Sequence, residues 1–575
     1  MVASDDARLV IDASREDARM KRFAVPLYLL LLLAFALMPA QGRLQAQGAE
    51  ALIWSFAGGD ISTINPVLAT DQVSLYATGA VYAGLFIADP NTGLPTPGLA
   101  DWVISEDGLH YTFTLKEGVV WSDGVPITST DVKFTYDAVM SEKVESVRKA
   151  DMAAIAGIEV VDDRTFVVTL TEPNCTIWGN AFASLVPLPA HKYAEDFSDF
   201  MTSEFNLAPD IGSGQYLFEE RSPGEYVRFK ANPLYYLGEP RIPTFIIRLL
   251  ADPATVNQAL QTAAIDYAFM YPDQLEQLGD RDMFNTWLYP NNNTPMLVMN
   301  LQDSENPQPA YDEEGNPNTL VPNKFFGDVR VRQAVAMGYD KVALTLTLGE
   351  GAGSVPLTGP ITPAFYDTYD MSAIEPWPYD PERARQLLEE AGWVDTDGDG
   401  VREKDGVRFE VDLVFSPLID LWANIAAVVQ DQLGQIGIKV NVSQMEWSAY
   451  LSEVILPFKF DMTIVGFGGG TQVDGIAYNL LHSQNVIPNA GFNLASYVNP
   501  EMDRLLDKAR TLPGCPIPEL EAIYQQVQQI ARDEVPYDWT VSTTQVHVLN
   551  NRVTDAFIGQ WDSTPPVGTY LWGLR

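Results

Sequence analysis

Two periods of apolar residues alternate along this chain, and the switches between them mark its elements. Tyr111, Phe113 and Leu115 alternate with Thr112, Thr114 and Lys116, the period of two expected of a strand with one buried face. Ser122-Asp123-Gly124 then reads as a turn, because Asp and Gly tolerate left-handed backbone. Thr128-Ser129-Thr130-Asp131 opens a helix: hydroxyls cap free N–H groups there, and Asp131 suits the positive end of the helix. Val132, Phe134, Tyr136 and Val139 supply its apolar positions. By spacing alone, residues 107–139 are a strand, a turn and a capped helix.

The same reading extends in both directions. Residues 51–57 are an apolar strand running into Gly58-Gly59-Asp60 and Asn65-Pro66, followed by a helical stretch from Val73 to Leu85 and a hairpin through Asn91-Thr92-Gly93. Ile158–Val161 and Thr165–Leu170 form a hairpin around Asp162-Asp163. Strands recur through residues 212–250, then a helix over Pro253–Ala263 and a short strand over Asp266–Met270. Residues 302–324, rich in Pro, Asn, Asp and Glu and without period, read as an exposed insertion before a helix within 327–341. Pro381–Gly392 is amphipathic and closes on a glycine, as helices often do. Strand Phe409–Phe415, helix Leu421–Ile436 and strand Lys439–Ser443 complete a βαβ unit. Such alternation, over a length that exceeds one core, calls for an α/β protein of two or more domains.

Composition narrows the partners. Aromatic residues make up 11% and charged residues 19%, which describes large cores and excludes a disordered chain. The formal charge is −40, a field that repels phosphate backbones and anionic headgroups, and no basic stripe offsets it. Nucleic acid is thus excluded as a partner. Lys21-Arg22 followed by the apolar run Phe23–Met38 reads as a secretory signal, with Met20 the expected start and cleavage expected at Ala46 or Ala49. The run is shorter than a membrane span and carries Pro26, so a retained anchor is the lesser alternative. No cysteine follows it to carry a lipid.

In its wording, the stretch from Asp107 to Val139 resembles the signature of the bacterial extracellular solute-binding proteins of family 5, the peptide, dipeptide and nickel receptors of ABC importers. Residues 212–240 and 327–341 resemble further family segments in the same order, and the resemblance runs from about residue 51 to the 540s. It implies an α/β, two-lobed fold of the periplasmic-binding-protein type II, with an extra subdomain in the first lobe. The implied division is an extension and signal over 1–49, lobe I over 50–292 with the subdomain at about 81–209, lobe II over 293–538, and a return to lobe I over 539–575. Crossings between lobes are expected near Asn293–Asn300 and Trp539–Val548.

The resemblance also carries ligand positions. Thr70, Asp71 and Gln72 match the segment of the first lobe that faces ligand in relatives, and Trp447 matches a pocket aromatic. Gly466 to Gly470 follow a strand, and Gly468, Gly469 and Gly470 would let a ligand approach the backbone closely. In oligopeptide receptors that loop begins with a Trp and carries, three residues on, an Asp for the peptide ammonium. Here Phe467 keeps the aromatic, Gly470 replaces the Asp, and Asp474 is the candidate to compensate. Val454 stands where some relatives place an Arg for a peptide carboxylate. Both charged anchors are missing, which matters because an unpaired charge in a closed cleft is expensive.

Asp395, Asp397 and Asp399, with Gly400 at position six, are spaced as in a calcium loop; Glu403 or Asp405 would have to replace the Glu of position twelve, where Gly406 stands. A plain Asx/Gly turn is the other reading, and no further cofactor is expected. Cys175 and Cys515, 340 residues apart, can pair in an oxidising compartment, and the sequence leaves their pairing open. GxSxG, HExxH and Walker motifs are absent, so a secreted hydrolase is the weaker rival. The expectation is a monomeric extracytoplasmic receptor that closes around an oligopeptide or a similar-sized amphiphilic solute and delivers it to an ABC permease. An oligosaccharide ligand, or a sensory role on the same fold, is the alternative.

Overall fold

A computed structural model describes residues 50–575 except 58–59, 147, 251, 271, 347, 349–352, 418, 469 and 562–565. The expected secretory signal therefore lies outside the described residues, as does Gly469. Two large sheets organise the chain. The first has the order 284–290, 544–550, 267–270, 51–57, 244–250, 226–231, 216–222. Its central strand, Ala51–Ala57, runs parallel to both neighbours, Thr244–Leu250 and Tyr267–Met270. Parallel strands are usually covered on both faces, and this one is: Ala51 and Ile53 pack into one core, Leu52 and Trp54 into another. The second sheet has the order 439–444, 410–415, 462–467, 294–299, 537–539. Its strand Thr294–Met299 is buried at every position.

The stretch that carries the strand–turn–helix pattern forms a separate antiparallel sheet, 100–104, 110–115, 165–170 and 155–160 in spatial order. His110–Leu115 buries Tyr111, Phe113 and Leu115, as the alternation requires. Helix Ser129–Met140 starts in a capping box, with the Thr128 amide donating to Asp131 at 2.9 Å. Phe113 stacks on Phe166 at 5.1 Å, and Trp178 and Phe182 close over the same cluster. Its residues share one core with Trp54 and Leu549 of the first sheet, so this sheet and the first form one body.

Helix Pro381–Glu390 follows its sequence signals: Asp380 accepts from the Arg383 amide at 2.9 Å, and Gly392 takes the left-handed φ of +92° that ends the turn. One segment differs from expectation, and one is held more firmly than its composition suggests. The helix read over Val73–Leu85 spans Gln72–Val81, because Tyr82 turns extended. The stretch 302–324 is mostly exposed, as expected, but it is tied down at its ends: Gln302 and Asn323 are buried, and the Ala310 amide donates to the Val486 carbonyl of the second body at 3.0 Å. The Gln302 amide donates to Ser496 at 2.7 Å, and Asn323 accepts from the Phe325 amide at 2.8 Å. Side-chain amides thus supply an anchor that hydrophobic periodicity cannot reveal.

The second body holds a buried ion pair. Lys341 and Asp538 are 4% and 3% exposed and in contact, and Tyr339 donates to the same carboxylate at 2.6 Å. Removing one partner strands a charge in low dielectric. Lys341→Met should therefore cost about 3–5 kcal/mol in denaturant unfolding, and Lys341→Met with Asp538→Asn should recover a large part of it.

In the first body, the His547 ring lies among Tyr267, Phe269 and Tyr289, with the Tyr267 hydroxyl 2.9 Å from Nδ1. Burial pushes its pKa down to about 4. A free imidazole protonates near ~6.5, so as pH falls the unfolded chain takes up the proton first. The contribution is intact above pH ~6.5 and is lost as pH drops toward 4, by on the order of 3 kcal/mol. Melting temperatures between pH 7.5 and 4.5 should fall less steeply in His547→Phe than in the unmutated protein.

Candidate functional site

The chain passes between the two sheets twice: from Phe284–Pro290 to Thr294–Met299, and from Tyr537–Trp539 to Thr544–Asn550. The two passages clasp each other. The Asn291 amide donates to the Thr543 carbonyl at 2.8 Å, and the Thr543 hydroxyl to the Asn293 carbonyl at 3.1 Å. Asn291 also accepts from the Asn293 amide at 2.9 Å. Beside this clasp lies a cavity of about 570 Å³, within the usual range for small-ligand sites of about 300–1,000 Å³.

Its walls come from where strands end. Pro253 follows strand Thr244–Leu250, Pro272 and Gln274 follow Tyr267–Met270, and Asp420, Leu421 and Trp422 follow Glu410–Phe415. Gly466 lies at the end of Met462–Phe467. This is where open α/β sheets present their carboxyl ends to a ligand. Asn291, Asn293, Thr543 and Thr544 of the crossings complete the wall. Gly466 leaves room for this approach: a Cβ there would stand 2.9 Å from the Asn293 side-chain oxygen, which would have to shift. The lining mixes side-chain amides and hydroxyls with prolines, Leu348, Ile419, Leu421 and one indole. Among the described residues that line it, Asp420 alone carries a charge.

The structure sorts the residues singled out from sequence. Trp447 is half-buried at the start of helix Trp447–Tyr450, with its ring 6.3 Å from Trp422 and 5.9 Å from Tyr450. It thus backs the indole that lines the cavity. Phe467 is half-buried, its ring 5.5 Å from Phe492. Gly468 and Gly470 are exposed, and the Asn292 side-chain amide of the crossing donates to the Gly470 carbonyl. Gly470 has φ +64° and open space where a Cβ would stand, so a side chain there would meet backbone strain and no clash.

The carboxylates behave differently. Asp474, expected to compensate for the lost anchor, is buried and bonded to the Arg510 guanidinium at 2.6 Å. That guanidinium lies 3.4 Å over the Tyr478 ring. Burial raises the Asp474 carboxyl above its ordinary value, with Arg510 pulling the other way. Asp71 caps helix Gln72–Val81, accepting from the Ser74 amide at 2.8 Å and from the Ser62 and Ser74 hydroxyls at 2.6 Å each. Burial pushes its pKa up, but these bonds outweigh it and hold the carboxyl below its usual value. Thr70 and Gln72 are exposed, and neither they nor Asp71 line the cavity at the crossings. Val454 is buried in the core of the second body.

Asp420 and Trp422 are not among the residues that sequence singles out, although a signal is present: they open the helix after a parallel strand, at the sheet edge where ligands gather. The acidic loop is compact. Carboxylate oxygens of Asp395, Asp397, Asp399 and Glu403 lie within 4.8 Å of one another, so Glu403 and not Asp405 completes the group. Oxygens so placed are of the kind a hard cation takes. Arg408 already pairs with Asp399, and Asp395 accepts from the Gly398 amide at 2.7 Å, as a self-supporting Asx turn does.

Two α/β bodies joined by paired crossings, with a cavity at their strand ends, define a two-lobed binding protein of the periplasmic type II fold. The model of the bacterial extracellular solute-binding proteins, family 5 (middle part), matches residues 95–487, and the chain belongs to that family. It is 28% identical over 494 residues to the oligopeptide-binding protein AppA of Bacillus subtilis (strain 168), covering 85% of this chain and 86% of AppA. The structure of Bacillus subtilis AppA in complex with a nonapeptide superposes with a TM-score of 0.66 at 25% identity, over 91% of this chain and 99% of that one. NikZ of Campylobacter jejuni, solved with Ni(L-His), matches with a TM-score of 0.68 at 25% identity, over 91% and 99%. Among the described residues no helix is long and apolar enough to cross a membrane.

Trp447→Ala tests how the aromatic pair works. If the indole of Trp447 holds Trp422 at the cavity wall, affinity for a bound solute should fall by about 1–3 kcal/mol in calorimetry, with a smaller loss in thermal stability. A fall in melting temperature with affinity intact would assign Trp447 to packing alone.

Proposed function

We propose that this protein is the extracytoplasmic receptor of an ABC importer. In this reading it captures an oligopeptide, or a solute of similar size and amphiphilic character, between its lobes and hands it to the membrane permease. The observation that carries the reading is the cavity at the crossings, walled by both bodies and lined by amides and hydroxyls interleaved with prolines, aliphatic side chains and an indole, with a single carboxylate among the described residues. Such groups suit the neutral, repeating N–H and C=O of a peptide more than a fixed charge. A ligand that touches both walls stabilises the closed arrangement over any open one, and that differential contact is the driving force for closure. The closed pair of lobes then presents the permease with a surface that the open form lacks. AppA, the relative named above, was solved with a nonapeptide, which supports a peptide here.

A hydrolytic reading is disfavoured by the lining. Glycoside hydrolysis commonly uses two carboxyl groups across the scissile bond, and the described wall offers only Asp420. The receptor is proposed to act as a monomer, exported by the apolar leader.

Recognition of peptide termini follows from the charges. Asp474 and Asp71 are already engaged, and Asp420 is exposed at the cavity. An exposed pair contributes at most about 1 kcal/mol. Acetylating the amino terminus of a bound peptide should thus weaken binding less than about tenfold, and Asp420→Asn should abolish even that difference. Competition between a peptide and its N-acetylated form reads this directly; a hundredfold loss would show a buried ammonium anchor that this cavity does not contain.

A further inference from the structure

Cys175 and Cys515 form a disulfide, with Cα atoms 5.4 Å apart, and its position carries more meaning than its presence. The core of the second body consists of residues between Met296 and Val541, with Cys175 as the one addition. Two residues further on, Ile177 and then Trp178, Ala181 and Phe182 belong to the core of the first body, where Trp178 packs on Tyr111 at 5.9 Å. Cys175 therefore reaches out of one lobe and is buried in the other. Cys515 sits in the tight turn between helices Pro500–Arg510 and Ile517–Glu534 of the second body. The contact around the bond is close: the Cys175 amide donates to the Arg510 carbonyl at 2.8 Å. A Cβ on Gly108 would meet Pro513 at 3.2 Å, and one on Gly179 would meet Gln472 at 2.6 Å.

We propose that this disulfide is a covalent staple between the lobes that restricts how the ligand cleft opens. The inference rests on the receptor reading above and adds a constraint to it. A disulfide holds its Cα atoms within about 4.4–6.8 Å, so the rims at 175 and 515 can part by no more than about 1–2 Å while it is intact. The crossings at 290–294 and 539–544 hold the lobes at a second place. A rigid body tied at two places turns only about the line through both. The stapled receptor therefore swings about an axis through crossings and disulfide, and it does not gape along the whole cleft. Contacts that are not covalent, such as the Thr368 hydroxyl on the Thr92 carbonyl at 3.2 Å, remain free to part.

The bond forms when the two thiols give up two electrons and two protons to an oxidised disulfide donor. A dithiol reverses this: one thiolate attacks a protein sulfur to make a mixed disulfide, and the second thiolate displaces it, leaving two protein thiols and an oxidised, cyclic reagent. The receptor thus has two states of cleft freedom set by the compartment it occupies. An oxidising exterior keeps it stapled.

Small-angle scattering of the ligand-free protein tests this. The oxidised protein should stay near the radius of gyration of about 25 Å expected for a compact chain of this length. Cys175→Ser with Cys515→Ser should shift to a larger radius, and so should the unmutated protein after reduction by dithiothreitol. Circular dichroism on the same samples confirms that both remain folded, and the reduced protein serves if the double variant does not fold. In Cys175→Ser alone, Cys515 should react with a maleimide dye at a rate that reports rim separation. An unchanged radius in folded, reduced protein, with Cys515 unreactive, would overturn the staple. Because no ligand is added, this outcome is independent of the peptide competition, whose failure would count against the receptor reading and leave the staple standing.

Discussion

The constraint on which the rest of this structure depends is the pair of short passages that carry the chain between its two sheets. Only three residues separate Pro290 from Thr294, and four separate Trp539 from Thr544. Being so short and hydrogen-bonded to each other, they fix where the lobes meet. That in turn decides which strand ends face each other and where a cavity can form. Asn291, Asn293, Thr543 and Thr544 are both hinge and wall, so a ligand bound there touches the elements about which the lobes move. Gly466 belongs to the same logic: without a Cβ it lets the Asn293 side chain lie against the end of its strand.

Charge is handled in a consistent way. The chain carries 76 acidic residues, and most are at the surface, where they keep the molecule soluble and repel anions. The few that are buried each have a structural partner. Asp266 receives the Ile53 amide and the Arg552 guanidinium, which also holds the Ala51 carbonyl and so pins the first strand. Asp474 binds Arg510, and Asp538 binds Lys341 and Tyr339. Each satisfies a charge that would otherwise be costly to bury. This leaves the cavity at the crossings with Asp420 as the one charged group among the described residues that line it.

The disulfide and the crossings play opposite parts. The crossings permit rotation by joining the lobes through a few residues, and the disulfide restricts the directions that rotation can take. Cys175 is buried in a core otherwise made of residues more than a hundred positions away, so this restraint is built into the packing of the rim and is not a loose surface bond.

Much of this is legible in the sequence. Period-two alternation at Tyr111, Phe113 and Leu115, the Thr128–Asp131 cap, and the Asp380 cap with Gly392 each act over a few residues, where side-chain direction and backbone hydrogen bonding leave little freedom. Ordered motifs over hundreds of residues carry the resemblance to the family, and with it the fold. The roles of individual polar groups are a different matter. Asp474 and Asp71 look available in the sequence, which shows a carboxylate but not the Arg510 or the Ser62 and Ser74 that meet it. Asp420 and Trp422 escape such a reading because nothing local marks them; the sheet edge that makes them a wall is assembled from strands far apart in the chain. The pairing of Cys175 with Cys515, open in the sequence, is decided by the approach of two lobes. Local elements follow from interactions between near neighbours, so the sequence determines them; partners of charges and sulfurs follow from packing across hundreds of residues, which only the tertiary structure decides.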